Sequence, residues 1–370
     1  MTEPEKRALA VRVALLLLFG GWPASWGQKL DRGEEIFRSA CAACHGWDAR
    51  GQDRSQVGFE QPLPDFTDCN FATREAAADW VTVVRRGGPA RGFSEIMPAF
   101  GEALTREQIE SVVNYLRGFC AEPSWPRGEL NLPRPFFTTK AFPEDETVVT
   151  NAIHATGSPA LLSHWVYEKR VSARNQVEIS LPFRFLNPAT GRWRGGVGDL
   201  ALGYKRVIAH SLNTGSILSA SVEAVLPTGD PARGFGGGVT VFEPFLAWGQ
   251  LFPSEGFLQV QAGFELPTRT RDAPRAAFWR AALGRGFFQQ GGDGRYWAPM
   301  VEFLADREFE TGARVVWDVV PQLHVTLSRR HHIRANVGLR IPANQTAGRP
   351  VQVLFYLLWD RFDGGLTEGW

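Results

Sequence analysis

Cys41, Cys44 and His45 stand in the run Cys41-Ala42-Ala43-Cys44-His45-Gly46, and their spacing suits one chemistry. In C-x-x-C-H the two thiols add to the vinyl groups of a haem, and the adjacent imidazole becomes the proximal ligand of the iron. Both sulfurs must reach one side of the porphyrin with the imidazole under the metal, which three residues of one helical turn can deliver. Two plainer readings compete: a redox C-x-x-C that happens to precede a histidine, and half of a zinc site with its other ligands elsewhere.

The second axial ligand follows by elimination. His154, His164, His210, His324, His331 and His332 all lie beyond residue 150, Met1 opens the chain, and Met300 is far downstream. That leaves Met97, in the glycine-rich stretch 87–100. Pro98 fixes the backbone after it, and the glycines let the chain pass close over a flat group. A lone Met is more often core filler; here it is expected to bind the iron opposite His45. His/Met ligation raises the potential and leaves no open position for a substrate. No Ser/His/Asp set, paired carboxylates or further metal spacing stands out, so no catalytic site is expected.

The elements that must position these residues are helical. Gly33, Ile36 and Phe37 lead into the motif on a helical pattern, with Asp31 as a possible N-cap. A loop-rich stretch spans 46–68. Helices are predicted over 76–85 and 105–119, the second opened by Thr105-Arg106-Glu107-Gln108 and carrying Ile109, Val112, Val113, Leu116 and Phe119 on one stripe.

Residues 31–120 resemble a class I cytochrome c. The resemblance rests on Cys41-Ala42-Ala43-Cys44-His45-Gly46, on Ile96-Met97-Pro98-Ala99-Phe100, and on a last helix of the form L-T-x-x-Q-I-x-x-V-V-x-Y-L over 104–116. It covers about a quarter of the chain. It implies one covalent haem c and one-electron transfer, carried onto Cys41, Cys44, His45 and Met97.

The N-terminus carries Lys6, Arg7 and Arg12, then an apolar run over 13–19, then small residues at Ser25 and Gly27. This reads as a secretory signal spanning 1–27. The alternative, a transmembrane anchor, is disfavoured because the apolar core falls well short of the roughly 20 residues needed to cross a bilayer. In an exported chain with four cysteines, two given to haem leave Cys69 and Cys120 as a pair that could form a disulfide; two free thiols in a small core is the alternative.

With the haem domain assigned to 28–121, prolines accumulate over 122–146 and periodicity disappears, so this segment reads as an extended tether, or one packed along a surface through Trp125, Phe136 and Phe137. Beyond it the period changes to two. Val177, Ile179, Leu181, Phe183 and Phe185 alternate with Gln176, Glu178, Ser180 and Arg184, and the same pattern recurs through 218–224, 258–266 and 333–341. About twelve strands are predicted, near 147–155, 164–172, 176–186, 197–208, 214–226, 239–250, 256–266, 275–288, 296–305, 312–328, 331–341 and 349–361. Long strands with one apolar and one polar face match a transmembrane antiparallel β-barrel in outer-membrane lipid; a large β-sandwich or propeller is the soluble alternative. The expected fold class is therefore α + β multidomain, a small all-α domain followed by a barrel.

Trp193, Trp248, Trp279, Trp297, Trp317 and Trp359 could form interfacial girdles, and Glu178, Arg184, Glu223, Glu265, Glu302, Arg334 and Arg340 are expected in the lumen. His331-His332 at a strand end reads as a solvated turn. Links alternate short and long, and since short turns are periplasmic, the first strand starts in the periplasm, with the haem domain there too. The barrel portion is also similar to outer-membrane channel proteins associated with phenol meta-pathway genes, on Gly196-Val197-Gly198-Asp199 and Leu226-Pro227-Thr228-Gly229-Asp230 followed by 234–238.

The balanced charge, a formal +1, gives no reason to expect a nucleic-acid partner. Two functions follow: an outer-membrane electron carrier exchanging single electrons with a redox partner, or a channel for a small solute with the haem domain as a redox-sensitive or structural plug.

Overall fold

The computed structural model describes residues 32–60, 62–187, 191–289 and 293–370. The expected signal segment and the Asp31 cap lie outside them. The described chain forms two compact units: one runs up to Ala72 and includes Phe100–Ala121, the other joins Thr73–Ala99 to Glu122–Trp370. Residues 73–99, expected within the haem domain 28–121, group with the second unit.

Three helices matter. Helix α1 covers 32–45, α2 is Ala77–Arg86 and α3 is Arg106–Arg117. In the first unit, α1 widens to a π turn over Phe37–Cys41, a distortion that recurs at functional sites. Gly46, at φ 75°, ends it. Helix α3 starts where its sequence says it should: Thr105 Oγ1 accepts from Gln108 N, and the Gln108 side chain accepts from Thr105 N. Its stripe of Ile109, Val112, Val113 and Leu116 is buried. Phe37, fully buried, meets the rings of Tyr115 at 5.5 Å and Phe119 at 6.1 Å. Burial of such a side chain stabilises by about 1.5–3 kcal/mol. Cys69 and Cys120 are joined by a disulfide, and Arg117 Nη1 donates to the Ala72 carbonyl.

The second unit holds twelve long strands: β1 (Glu146–His154), β2 (Ala160–Arg170), β3 (Asn175–Leu186), β4 (Leu200–Ser211), β5 (Ser216–Leu226), β6 (Val241–Leu251), β7 (Gly256–Pro267), β8 (Ala276–Arg285), β9 (Tyr296–Glu308), β10 (Val316–Thr326), β11 (Ile333–Pro342) and β12 (Gln352–Asp360). The short pieces Arg194–Val197 and Phe287–Phe288 extend β4 and β8 along their neighbours. Each strand pairs antiparallel with the next, and β1 pairs with β12 from Glu146↔Asp360 to His154↔Gln352. The sheet is therefore closed, and among the described residues no edge strand is left unpaired.

Period-two alternation sorts the side chains. On β3, Val177 and Ile179 are 40% and 48% exposed, whereas Gln176 and Ser180 on the opposite face are buried. The outward face is apolar along its length, with Trp165, Leu246, Leu283 and Val337 all about half exposed. Trp279 and Trp317 lie edge to face on it, 6.0 Å apart. Strands of 9 to 13 residues have the length that tilted strands need to cross a bilayer.

The expected tether does not act as a spacer: much of it fills the lumen. Leu130 and Phe142 are buried with Val207, Ile217 and Ala247, and Leu132 is buried with Phe257, Ala298 and Met300. The barrel accommodates the segment by omitting a side chain where it comes closest, since a Cβ on Gly338 would lie 2.9 Å from the Phe136 ring. Its backbone is satisfied by lumen side chains. The Glu302 carboxylate accepts from the N–H groups of Phe136 at 2.9 Å, Phe137 at 3.1 Å and Thr138 at 2.7 Å. Gln261 accepts from Thr139 N at 3.0 Å and Gln176 from Glu144 N at 2.7 Å. Arg134 pairs with Glu146 at 2.5 Å and Glu168 at 2.6 Å, so those two buried carboxylates are compensated.

The solvated reading of His331-His332 is corrected. Both are buried, His332 between the Ser328 hydroxyl at 2.9 Å and the Gly365 carbonyl at 3.0 Å, because the C-terminal segment folds back over the turn 327–332.

Candidate haem centre

In the first unit, Cys41 closes the π turn, and Cys44 and His45 occupy the last turn of α1, Ala42–His45. The turn is tied down on its far side, with Gln52 N donating to Cys44 O at 2.9 Å and Gly51 N to His45 O at 2.8 Å. Both thiols are free and partly buried. Burial, with a smaller contribution from Cys44, pushes the Cys41 thiol up to about 11. The zinc alternative has no support among the described residues, where no group of three or more His, Cys, Asp or Glu side chains could hold a metal ion.

His45 packs against Phe66 with ring centroids 5.4 Å apart. Burial holds its imidazole below the usual histidine range, so it is neutral, the form that ligates. Its Nδ1 is buried without a hydrogen-bond partner. Two free thiols one turn from a neutral, under-satisfied imidazole fit a covalently held haem.

Met97 belongs to the second unit, in the turn after Ser94, whose carbonyl accepts from Met97 N at 3.3 Å. Gly88 N donates to the Met97 carbonyl at 2.9 Å and Gly88 O accepts from Phe93 N at 2.9 Å. Only glycine fits at position 88, because a Cβ there would lie 2.1 Å from Ser94 O. The residues that hold this loop from outside, Arg330, Asp293 and His331, carry no sequence signal: each lies more than 190 positions from Met97.

Helix, motif and Met loop define the class, a cytochrome c module joined to a closed β-barrel. A family model described as cytochrome c oxidase, cbb3-type, subunit III matches residues 28–116. Cytochrome c6 of Gracilaria tenuistipitata var. liui is 32% identical over 87 residues, 24% of this chain and 69% of that protein. Cytochrome c6 of Pyropia yezoensis is 30% identical over 116 residues, 30% of this chain and 92% of that protein. Through this N-terminal part the chain belongs to the cytochrome c family, whose cofactor is haem c. Among solved structures, an outer membrane channel from Pseudomonas putida F1 aligns with a TM-score of 0.42 at 12% identity, covering 62% of this chain and 99% of that one. The KdgM porin aligns with a TM-score of 0.39 at 5% identity, covering 58% and 98%.

Proposed function

We propose that this protein is a c-type cytochrome anchored in the bacterial outer membrane by its barrel, exchanging single electrons with a redox partner. Cys41 and Cys44 would hold one haem covalently through thioether bonds, and His45 and Met97 would ligate its iron. The bound haem supplies a reversible one-electron couple at its iron. The neutral His45 imidazole donates its lone pair without first losing a proton. The Met97 thioether would favour the reduced metal and leave no place for a substrate, so the centre would pass electrons rather than bind one.

The outward apolar face, with Trp279 and Trp317 on it, supports burial in lipid. The short links 171–174, 212–215 and 252–255 lie at the end where β1 begins, which supports a periplasmic position for that end and for the haem domain.

The observation that supports the anchor reading over the channel is the filled lumen. Leu130, Leu132, Phe136, Phe137, Thr138 and Phe142 occupy it, and a solute would have to displace them together with the hydrogen bonds that Glu302 makes. One haem beside an apolar band about 25 Å tall cannot carry charge across it alone, so the partner is met on the haem side or a second carrier is needed. The test uses the full-length protein in planar bilayers and liposomes. The proposal expects no steady conductance, and reduction by a periplasmic-side donor without electron flow to a trapped acceptor; stable ohmic conductance in the wild type would restore the channel reading.

A further inference from the structure

We infer that the barrel itself positions the sixth-ligand loop, with Arg330 on the turn between β10 and β11 clamping residues 92–93 and, through them, Met97. This rests on Met97 being the sixth ligand. A thioether is a neutral, weak ligand whose bond depends on being held in place, and such ligands are held by the groups around them.

The whole segment 73–99 is built into the barrel unit. At the C-terminal end of α2, Asp293 accepts from Arg85 Nη2 at 2.6 Å, Arg86 Nε at 2.5 Å and Thr82 Oγ1 at 3.3 Å. Arg91, buried, donates to Asp79 at 2.8 Å and lies 3.1 Å from His331 Nε2. These contacts fix the arm that leads into the loop.

The clamp comes next. Arg330 Nη2 donates to the Gly92 carbonyl at 2.6 Å, and the guanidinium sits 4.6 Å from the centre of the Phe93 ring. Its other terminal nitrogen is oriented by the Asp363 carbonyl at 3.0 Å and Glu368 at 3.2 Å. From Phe93 the path is backbone: Phe93 N to Gly88 O, then Gly88 N to Met97 O. Gly92, in the left-handed region at φ +66°, lies so close to the C-terminal segment that a Cβ would be 2.5 Å from Gly369 Cα. A residue on a barrel turn thus holds the middle of the ten-residue loop 88–97 whose last residue is the ligand.

The test compares wild type, Met97→Ala, Arg330→Ala and Arg330→Lys as full-length holoproteins in detergent. The readouts are the red thioether-to-iron charge-transfer band of the oxidised protein, the midpoint potential, and CO binding when reduced. Arg330→Ala should lower the Met-ligated fraction about tenfold, the scale of one lost charge-assisted hydrogen bond. Its potential should fall and CO binding appear, with covalent haem content and folded barrel mobility unchanged; Arg330→Lys should restore part of the band. If Arg330→Ala fails to assemble, Phe93→Ala, which removes a half-exposed ring from the clamp, carries the same expectation. A band and potential unchanged in Arg330→Ala, or in Phe93→Ala where that substitutes for it, while Met97→Ala abolishes the band, would overturn this inference alone. A wild type indistinguishable from Met97→Ala would overturn the ligation it rests on.

Discussion

The Thr138 hydroxyl donates to Glu302 Oε1 at 2.8 Å, joining residues 164 positions apart in the chain. Glu302 is fully buried on β9 and also accepts from Gln322 Nε2 at 2.7 Å. It is the hub on which the segment inside the barrel turns.

Glu302→Leu removes the carboxylate acceptor of the N–H groups of Phe136, Phe137 and Thr138 inside the barrel. Unpaired buried donors cost about 1–3 kcal/mol each. The variant should lose its heat-resistant folded mobility at a lower temperature than wild type and show intermittent conductance in planar bilayers. Glu302→Gln keeps one acceptor oxygen and should fall between the two. Equal thermal resistance in Glu302→Leu and wild type would show that the segment is held by apolar packing alone.

The docked arm should loosen in acid. Burial, aided by Arg91 and Arg334, pushes His331 down to about 4, against the opposing pull of Asp79 and the Gly294 carbonyl. A histidine whose folded value is depressed binds fewer protons folded than unfolded between about 4 and 6.5, so stability rises with pH across that window. Its contribution is complete above about pH 6.5 and is lost as pH falls towards 4. Hydrogen exchange of residues 77–86 should show constant protection above pH 6.5 and progressive loss below it, and His331→Asn should flatten that slope.

The disulfide Cys69–Cys120 closes a sequence separation of 51. In the chain-entropy model such a loop contributes about 4 kcal/mol. Cys69→Ser with Cys120→Ser should lower the denaturant midpoint of the haem-bearing unit, followed at the Soret band, while barrel mobility stays as in wild type.

Much of this was legible in the sequence, for physical reasons that can be named. The strands show because an apolar outward face and a polar inward face impose alternation along Gln176 to Phe185. Helix α3 shows because Thr105 and Gln108 cap it reciprocally. The lumen filling does not show. Leu132, Phe136 and Thr138 have no period, since an irregular backbone satisfied by side chains of four different strands imposes none. Arg330 and Asp293 were illegible for a related reason: an ion pair from Asp293 to a helix, and a hydrogen bond from Arg330 to a loop carbonyl, each some 200 residues away or more, leave no local pattern. The turn at His331-His332 looked solvated because polar residues beside a strand usually are, and only the returning C-terminal segment buries it.

The most direct test of the central claim is the redox-titrated optical spectrum of the full-length protein, wild type against Met97→Ala. The account predicts a covalent haem in both, the thioether-to-iron band in oxidised wild type only, and a lower potential with CO binding in the variant. A wild type that lacks the band, or binds CO readily when reduced, would contradict it: the iron would then have an open position, and the protein would not be a simple electron carrier.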